Sequence, residues 1–204
     1  YGIALLLAPA NAQLKQAEEA FKEVEKLNRF DGPLNLARVY IAEGSVNAAT
    51  DALNRALKMD PPPPAWTFAW LSGEVAVLQG QFEIAEKMFR SVIYDKTEER
   101  ASRDFDFSRD YMVRNLLGGA LFDLSVKASL RGDDERALLL LKDAQHEFET
   151  VIGIDPENNT AFANLRDIYS RRAEFAKDSK ESEWFMAESR KAEDHNIAYK
   201  PDDN

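Results

Sequence analysis

One spacing recurs along this chain, and it limits the possible folds more than any other feature. From Ala37 to Gly44 is seven residues, and Ala49, Leu53, Ala56 and Pro61 follow at steps of five, four, three and five. Gly73, Gly80, Ala85, Phe89 and Val92 repeat that spacing almost residue for residue. Ala17, Phe21, Val24 and Ala144, Phe148, Val151 carry the same four-then-three step, and Pro156 comes five after Val151. A last stretch opens with Phe162, Leu165 and Tyr169. Steps of three and four place residues on one face of a helix, so the pattern predicts pairs of helices. Small residues (Ala37, Gly73, Ala49, Ala85) belong where two axes approach most closely, and large ones (Tyr40, Phe89, Phe148) fill the space between pairs. Gly44 and Gly80 are expected to end first helices with a left-handed cap. Pro61 and Pro156 close second helices, because proline cannot continue one.

This set of residues resembles the tetratricopeptide repeat, a unit of about 34 residues built from two antiparallel helices. The resemblance implies an all-α chain, a right-handed superhelix of antiparallel helix pairs with about five units. The expected boundaries are 1–29, 30–64, 65–97, a linker at 98–110, then 111–157 and 158–196, with a tail at 197–204. Together they make one domain.

Three departures from the basic spacing carry their own expectations. Gly118 to Ala144 is 26 residues where Gly73 to Ala85 is 12. The excess corresponds to about two further turns on each of two antiparallel helices. The segment from Lys96 to Asp110 is charged and reads as a solvated linker. The last unit is expected to be lengthened again through Arg172 to Trp184. At the start, Tyr1-Gly2-Ile3-Ala4-Leu5-Leu6-Leu7 fits the second half of a first helix, so the chain is expected to be a piece of a longer protein.

Composition narrows the partners. There are 36 acidic against 26 basic residues, a formal net charge of −10, and such a chain repels phosphate backbones. Nucleic acid is therefore not an expected partner. No apolar stretch approaches the ~20 residues that span a bilayer, so no membrane insertion is expected. Absence of cysteine rules out disulfides, zinc–thiolate sites and covalent haem attachment within these residues.

Catalytic and metal patterns do not emerge. His146 and His195 lie on different units, outside any metal or nucleophile constellation. Asp104, Asp106 and Asp110 lack the glycine and closing glutamate of an EF-hand loop. Asn158-Asn159-Thr160 matches a glycosylation sequon but sits where a helix cap is needed. Gly118-Gly119 reads as close helix packing. The chain is expected to be a binding protein, not an enzyme, with no cofactor.

In stacked helix pairs the first helices line the inner, concave face, where peptides and partner helices lie. The inward positions are the residue after the small position and those two or three before it. They carry Asn35 and Arg38, Trp70 and Glu74, Asn115, and Asn164 with Asp167, and Arg171 extends the last set by a turn. Asn35 and Asn164 resemble the groove asparagines of peptide-binding tetratricopeptide domains, whose amides pair with a bound backbone. The lysines of a carboxylate clamp are not evident. Trp66 and Phe68 are expected in the core between repeats, with Trp70 aimed inward.

Further short stretches resemble the repeat-bearing tail of bacterial multihaem c-type cytochromes. They are Tyr1-Gly2-Ile3, Asn35 to Tyr40, Arg114 to Gly118, Ile154 to Glu157 and Pro201 to Asn204. That resemblance implies an exported, periplasmic docking arm of an electron-transfer protein with its haem sites upstream. Without it a cytoplasmic location is expected. Exposed apolar surface at the ends of a repeat array also makes self-association an expectation.

Overall fold

The computed structural model describes residues 11–95 and 106–198. The expectations for Tyr1 to Leu7, for most of the linker and for the tail beyond residue 198 lie outside the described residues. Among those described, the regular structure is entirely helical, as expected of an all-α tetratricopeptide-like chain. The helices are α1 (Asn11–Glu25), α2 (Asp31–Ala42), α3 (Val46–Ala56), α4 (Ala65–Leu78) and α5 (Phe82–Tyr94). After a 3-10 turn at Phe107–Arg109 come α6 (Tyr111–Leu130), α7 (Asp134–Ile154), α8 (Asn159–Glu174) and α9 (Ser179–Ala198). The chain divides into two compact units, Tyr1–Val92 and Ile93–Asn204.

Unit 1 is built on the repeated spacing. Ala17 and Phe21 of α1, Leu36, Ala37 and Val39 of α2, and Ala49, Leu53 and Ala56 of α3 form one buried cluster with Leu71 and Val75 of α4. The glycine stops work as expected. Gly44 and Gly80 have φ of +69° and +66°, a left-handed conformation that costs glycine little. Ser45 N–H then donates to Tyr40 O at 2.8 Å and Gln81 N–H to Ala76 O at 2.8 Å. These bonds satisfy carbonyls that the helix end would leave open. Tyr40 donates its hydroxyl to Glu18 of α1 at 2.9 Å, and Arg55 of α3 reaches Glu25 of α1 at 2.6 Å.

The small positions meet the large ones. A Cβ on Gly73 would lie 2.5 Å from the Phe89 ring, and one on Gly118 would lie 2.8 Å from the Phe148 ring. Both rings are fully buried. Gly119, one residue on, faces open space.

In unit 2 the lengthened hairpin is present: α6 has 20 residues and α7 has 21, against 14 and 13 for α4 and α5. Carboxylate and amide caps set the starts of its helices. Asp110 accepts from Met112 N–H at 2.9 Å, Asp133 from Arg136 N–H at 3.2 Å, and Asn158 from Ala161 N–H at 3.0 Å. The core runs through Val113, Leu117, Leu121, Leu141, Phe148, Val151, Leu165 and Ile168. One expectation is corrected here. The described end of the linker is not simply solvated: Phe107 is buried, and Asp106 accepts from Ser108 N–H at 3.0 Å. An apolar ring next to a capping carboxylate anchors the turn that leads into α6.

Candidate functional site

Two helices of unit 1 carry four of the positions expected to face inward, Asn35 and Arg38 on α2 and Trp70 and Glu74 on α4. Asn35 and Arg38 are three apart on α2, and Trp70 and Glu74 are four apart on α4, so each pair shares a helix face. The two pairs differ in how they are held. Asn35 donates its amide to Asp31 O of its own helix at 2.8 Å, which leaves its carbonyl oxygen as the acceptor. The Trp70 indole N–H and the charge of Arg38 both act on the Glu74 carboxylate and favour its charged form. Arg38, Trp70 and Glu74 therefore form one cluster from two helices. All three side chains are half-buried, and Arg38 Nε is buried without a hydrogen-bond partner.

The electrostatics of the cluster centre on Glu74. Burial raises its carboxyl above the ordinary 4.5, and the indole N–H and the Arg38 charge only partly offset that rise. Desolvation disfavours the charged form, while a donated hydrogen bond and a nearby cation favour it. A group whose pKa is raised on folding stabilises the fold below its unfolded value, and that contribution disappears as pH rises through the folded value. Glu74→Gln is expected to melt above the parent chain at neutral pH. The difference should vanish below the ordinary carboxylate range, and paired thermal melts at the two pH values measure it.

The positions of unit 2 that were expected to face inward are arranged differently. Asn115 of α6 donates to Asn158 Oδ1 at 3.2 Å, and Asn158 in turn donates to Asp155 at 2.9 Å while capping α8. Asn115 Oδ1 is buried without a partner. The residue thus ties α6 to the start of α8. Asn164 donates to Thr160 O at 2.7 Å, Asp167 accepts from Arg166 at 2.7 Å, and Arg171 lies 3.7 Å from Glu174. These three share one side of α8 at helical spacing, but each is engaged by its own helix. No hydrogen bond or ion pair joins them to each other or to Asn115.

Several interactions were not legible in the sequence. Arg114, beside Asn115, pairs with Glu147 of α7, and both are almost fully buried. Arg114 also donates to Ser108 O, and the Tyr94 hydroxyl donates to Glu147 at 3.1 Å. Arg172 sits over the Phe185 ring, 4.4 Å from its centroid. On a helix-period pattern all of these charges read as a solvated face.

The family comparison fits this geometry. Residues 34–63, which span α2 and α3, match the tetratricopeptide repeat family model. That match covers one helix pair, and the all-α fold is of the tetratricopeptide type. The fold has counterparts among solved structures. A crystal structure of MamA is 15% identical at a TM-score of 0.57 and covers 92% of this chain and 93% of that one. MamA MSR-1 C2 is 17% identical at a TM-score of 0.60, covering 98% of this chain and 94% of that one. At such identities the likeness is one of fold. Sequence comparison with curated proteins finds no match.

Among the described residues, no helix is long and apolar enough to cross a membrane. Nor do the described residues hold a group of three or more histidine and carboxylate side chains that could bind a metal ion.

Proposed function

We propose that this chain is a protein-interaction scaffold and that a partner protein or peptide lies along the α2 and α4 face of unit 1. The observation that carries the reading is the convergence of Arg38, Trp70 and Glu74 from two helices. A solvated face has no reason to hold an indole, a guanidinium and a half-buried carboxylate together. Desolvating charge and aromatic surface is costly, and interfaces concentrate their binding energy in Trp and Arg side chains of this kind. Arg38 supplies fixed donors for a peptide carbonyl or carboxylate. Trp70 supplies flat apolar area, and Asn35 adds an acceptor one turn away. In unit 2, Asn115, Asn164, Asp167 and Arg171 are assigned a supporting part.

Capture from native extract with the full chain and with its Arg38→Glu and Trp70→Ala variants tests this reading. Circular dichroism establishes that the three are equally helical. A partner identified by mass in the parent sample and lost from both variants is the expected outcome. A partner held equally by all three moves the interface off this face and overturns the assignment.

A further inference from the structure

Unit 2 contains a cleft of about 330 Å³, at the lower end of the roughly 300–1,000 Å³ typical of ligand sites. It lies against α7, α8 and α9, on residues outside the inward set. Phe162, Leu165 and Tyr169 of α8 form its floor, with Ile152 of α7 and Ala192 of α9 as apolar walls. Glu149, Glu188, Lys191 and His195 complete the lining. The floor is ordered by its neighbours: Tyr169 donates its hydroxyl to Glu149 at 3.1 Å, and the His195 ring lies against Phe162, tilted by 31°, with centroids 3.7 Å apart.

The repeat register accounts for the opening. Ala17, Phe21 and Val24 of α1 correspond in spacing to Ala144, Phe148 and Val151 of α7, so Glu25 corresponds to Ile152. Leu53 and Ala56 of α3 correspond to Ser189 and Ala192 of α9, so Arg55 corresponds to Lys191. In unit 1 the second helices are joined across this position by the Arg55–Glu25 pair, with contacts of 2.6 and 3.3 Å. In unit 2 the cation is retained, but isoleucine stands where the acid would be. Lys191 instead pairs with Glu188 of its own helix at 2.6 Å. The space that a cross-helix ion pair closes in unit 1 is an apolar-floored cleft in unit 2.

We propose that this cleft docks a peptide segment that combines an apolar side chain with a neighbouring lysine or arginine. The volume and the aromatic floor fit one or two apolar side chains. The charge selects the neighbour: with Lys191 matched by Glu188, the lining holds one further carboxylate, Glu149. It accepts from Gln145 at 2.6 Å and from Tyr169 at 3.1 Å, and the charge of Arg172 offsets it in part. A cation beside the anchor would meet Glu149 and Glu188, whereas an acidic neighbour would meet like charge. The surface differs from that on α2 and α4, so the proposal stands or falls independently of it.

The probes are a short peptide alternating leucine with lysine and its leucine–glutamate counterpart, titrated into the full chain. Methyl NMR signals of Ile152, Leu165 and Ala192 are the readout. Saturable shifts at these methyls are expected with the leucine–lysine peptide, at about tenfold higher affinity than with the acidic one. Ile152→Glu recreates the acid of unit 1 and gives Lys191 a partner across the cleft, so binding should be lost. That variant is more acidic than the parent, so general attraction of a basic peptide would be strengthened by it. Retained or tighter binding by Ile152→Glu overturns the proposal. If Ile152→Glu alters the helical content, Glu188→Gln carries the test and is expected to weaken the leucine–lysine peptide severalfold. Equal affinity for the two peptides, or absence of saturation, contradicts the proposal. Shifts at the same methyls that grow with protein concentration before peptide is added also contradict it, and assign the cleft to a second copy of the chain.

Discussion

Replacing Arg114 with methionine is expected to destabilise unit 2 by about 3–5 kcal/mol, because it leaves the Glu147 carboxylate buried without its cation. Arg114 and Glu147 are 6% and 3% exposed, so water cannot substitute for the lost partner. The change also removes the donor to Ser108 O and leaves Glu147 with the Tyr94 hydroxyl. The penalty belongs to the orphaned charge more than to the pair itself. A buried ion pair replaced as a whole by apolar side chains is often close to neutral. The double variant Arg114→Met/Glu147→Leu is therefore expected to recover more than half of the loss. Urea denaturation of the parent, single and double variants measures both. A single variant within about 1 kcal/mol of the parent would mean the pair is hydrated, as surface pairs are.

Phe148→Ala is expected to cost about 3–5 kcal/mol, since it removes a fully buried ring between α6 and α7 and leaves a cavity. The ring is seated against Gly118, so the same contact is open to test from the other side. Gly118→Ala places a methyl group 2.8 Å from the Phe148 ring, where overpacking costs about 1–3 kcal/mol. Gly119→Ala meets nothing and should stabilise the helix by up to about 1 kcal/mol through propensity alone. The opposite signs at adjacent glycines are the informative part, because a general preference of the helix for alanine would move both the same way. Chemical denaturation of the three variants decides it.

How far the sequence is legible here depends on whether a feature is local. The caps at Gly44 and Gly80 could be read because a left-handed helix end favours glycine at a fixed distance from the last apolar position. The Gly73–Phe89 and Gly118–Phe148 contacts follow from the spacing of small and large residues. So does the lengthened α6–α7 hairpin, whose extra residues cannot be placed elsewhere without breaking the repeat. The same register puts Arg38 on α2 and Trp70 and Glu74 on α4, but does not set their approach to one another. The Arg114–Glu147 pair could not be read, because its members lie 33 residues apart and each looks like an ordinary surface charge on its own helix. Phe107 escaped for a related reason: five of the seven residues from Asp104 to Asp110 are polar or charged, which hides an anchored turn. The cleft of unit 2 was hidden because it arises from a missing ion pair. It is visible only when Ile152 is set beside Glu25, and Ser189 beside Leu53, in register.

The α2 and α4 face is the centre of the functional account, and it can be tested by asking what touches it. A photoreactive benzoylphenylalanine placed at Asn35 reports on that face, and one placed at Lys87, exposed on α5, reports on a second helix outside the inward set. Irradiation in native extract followed by mass analysis of the adducts is the measurement. An adduct formed from position 35 and absent from position 87, and suppressed when Arg38→Glu is added, is the result the account requires. An adduct from position 87 alone, or equal adducts that Arg38→Glu leaves unchanged, would contradict it.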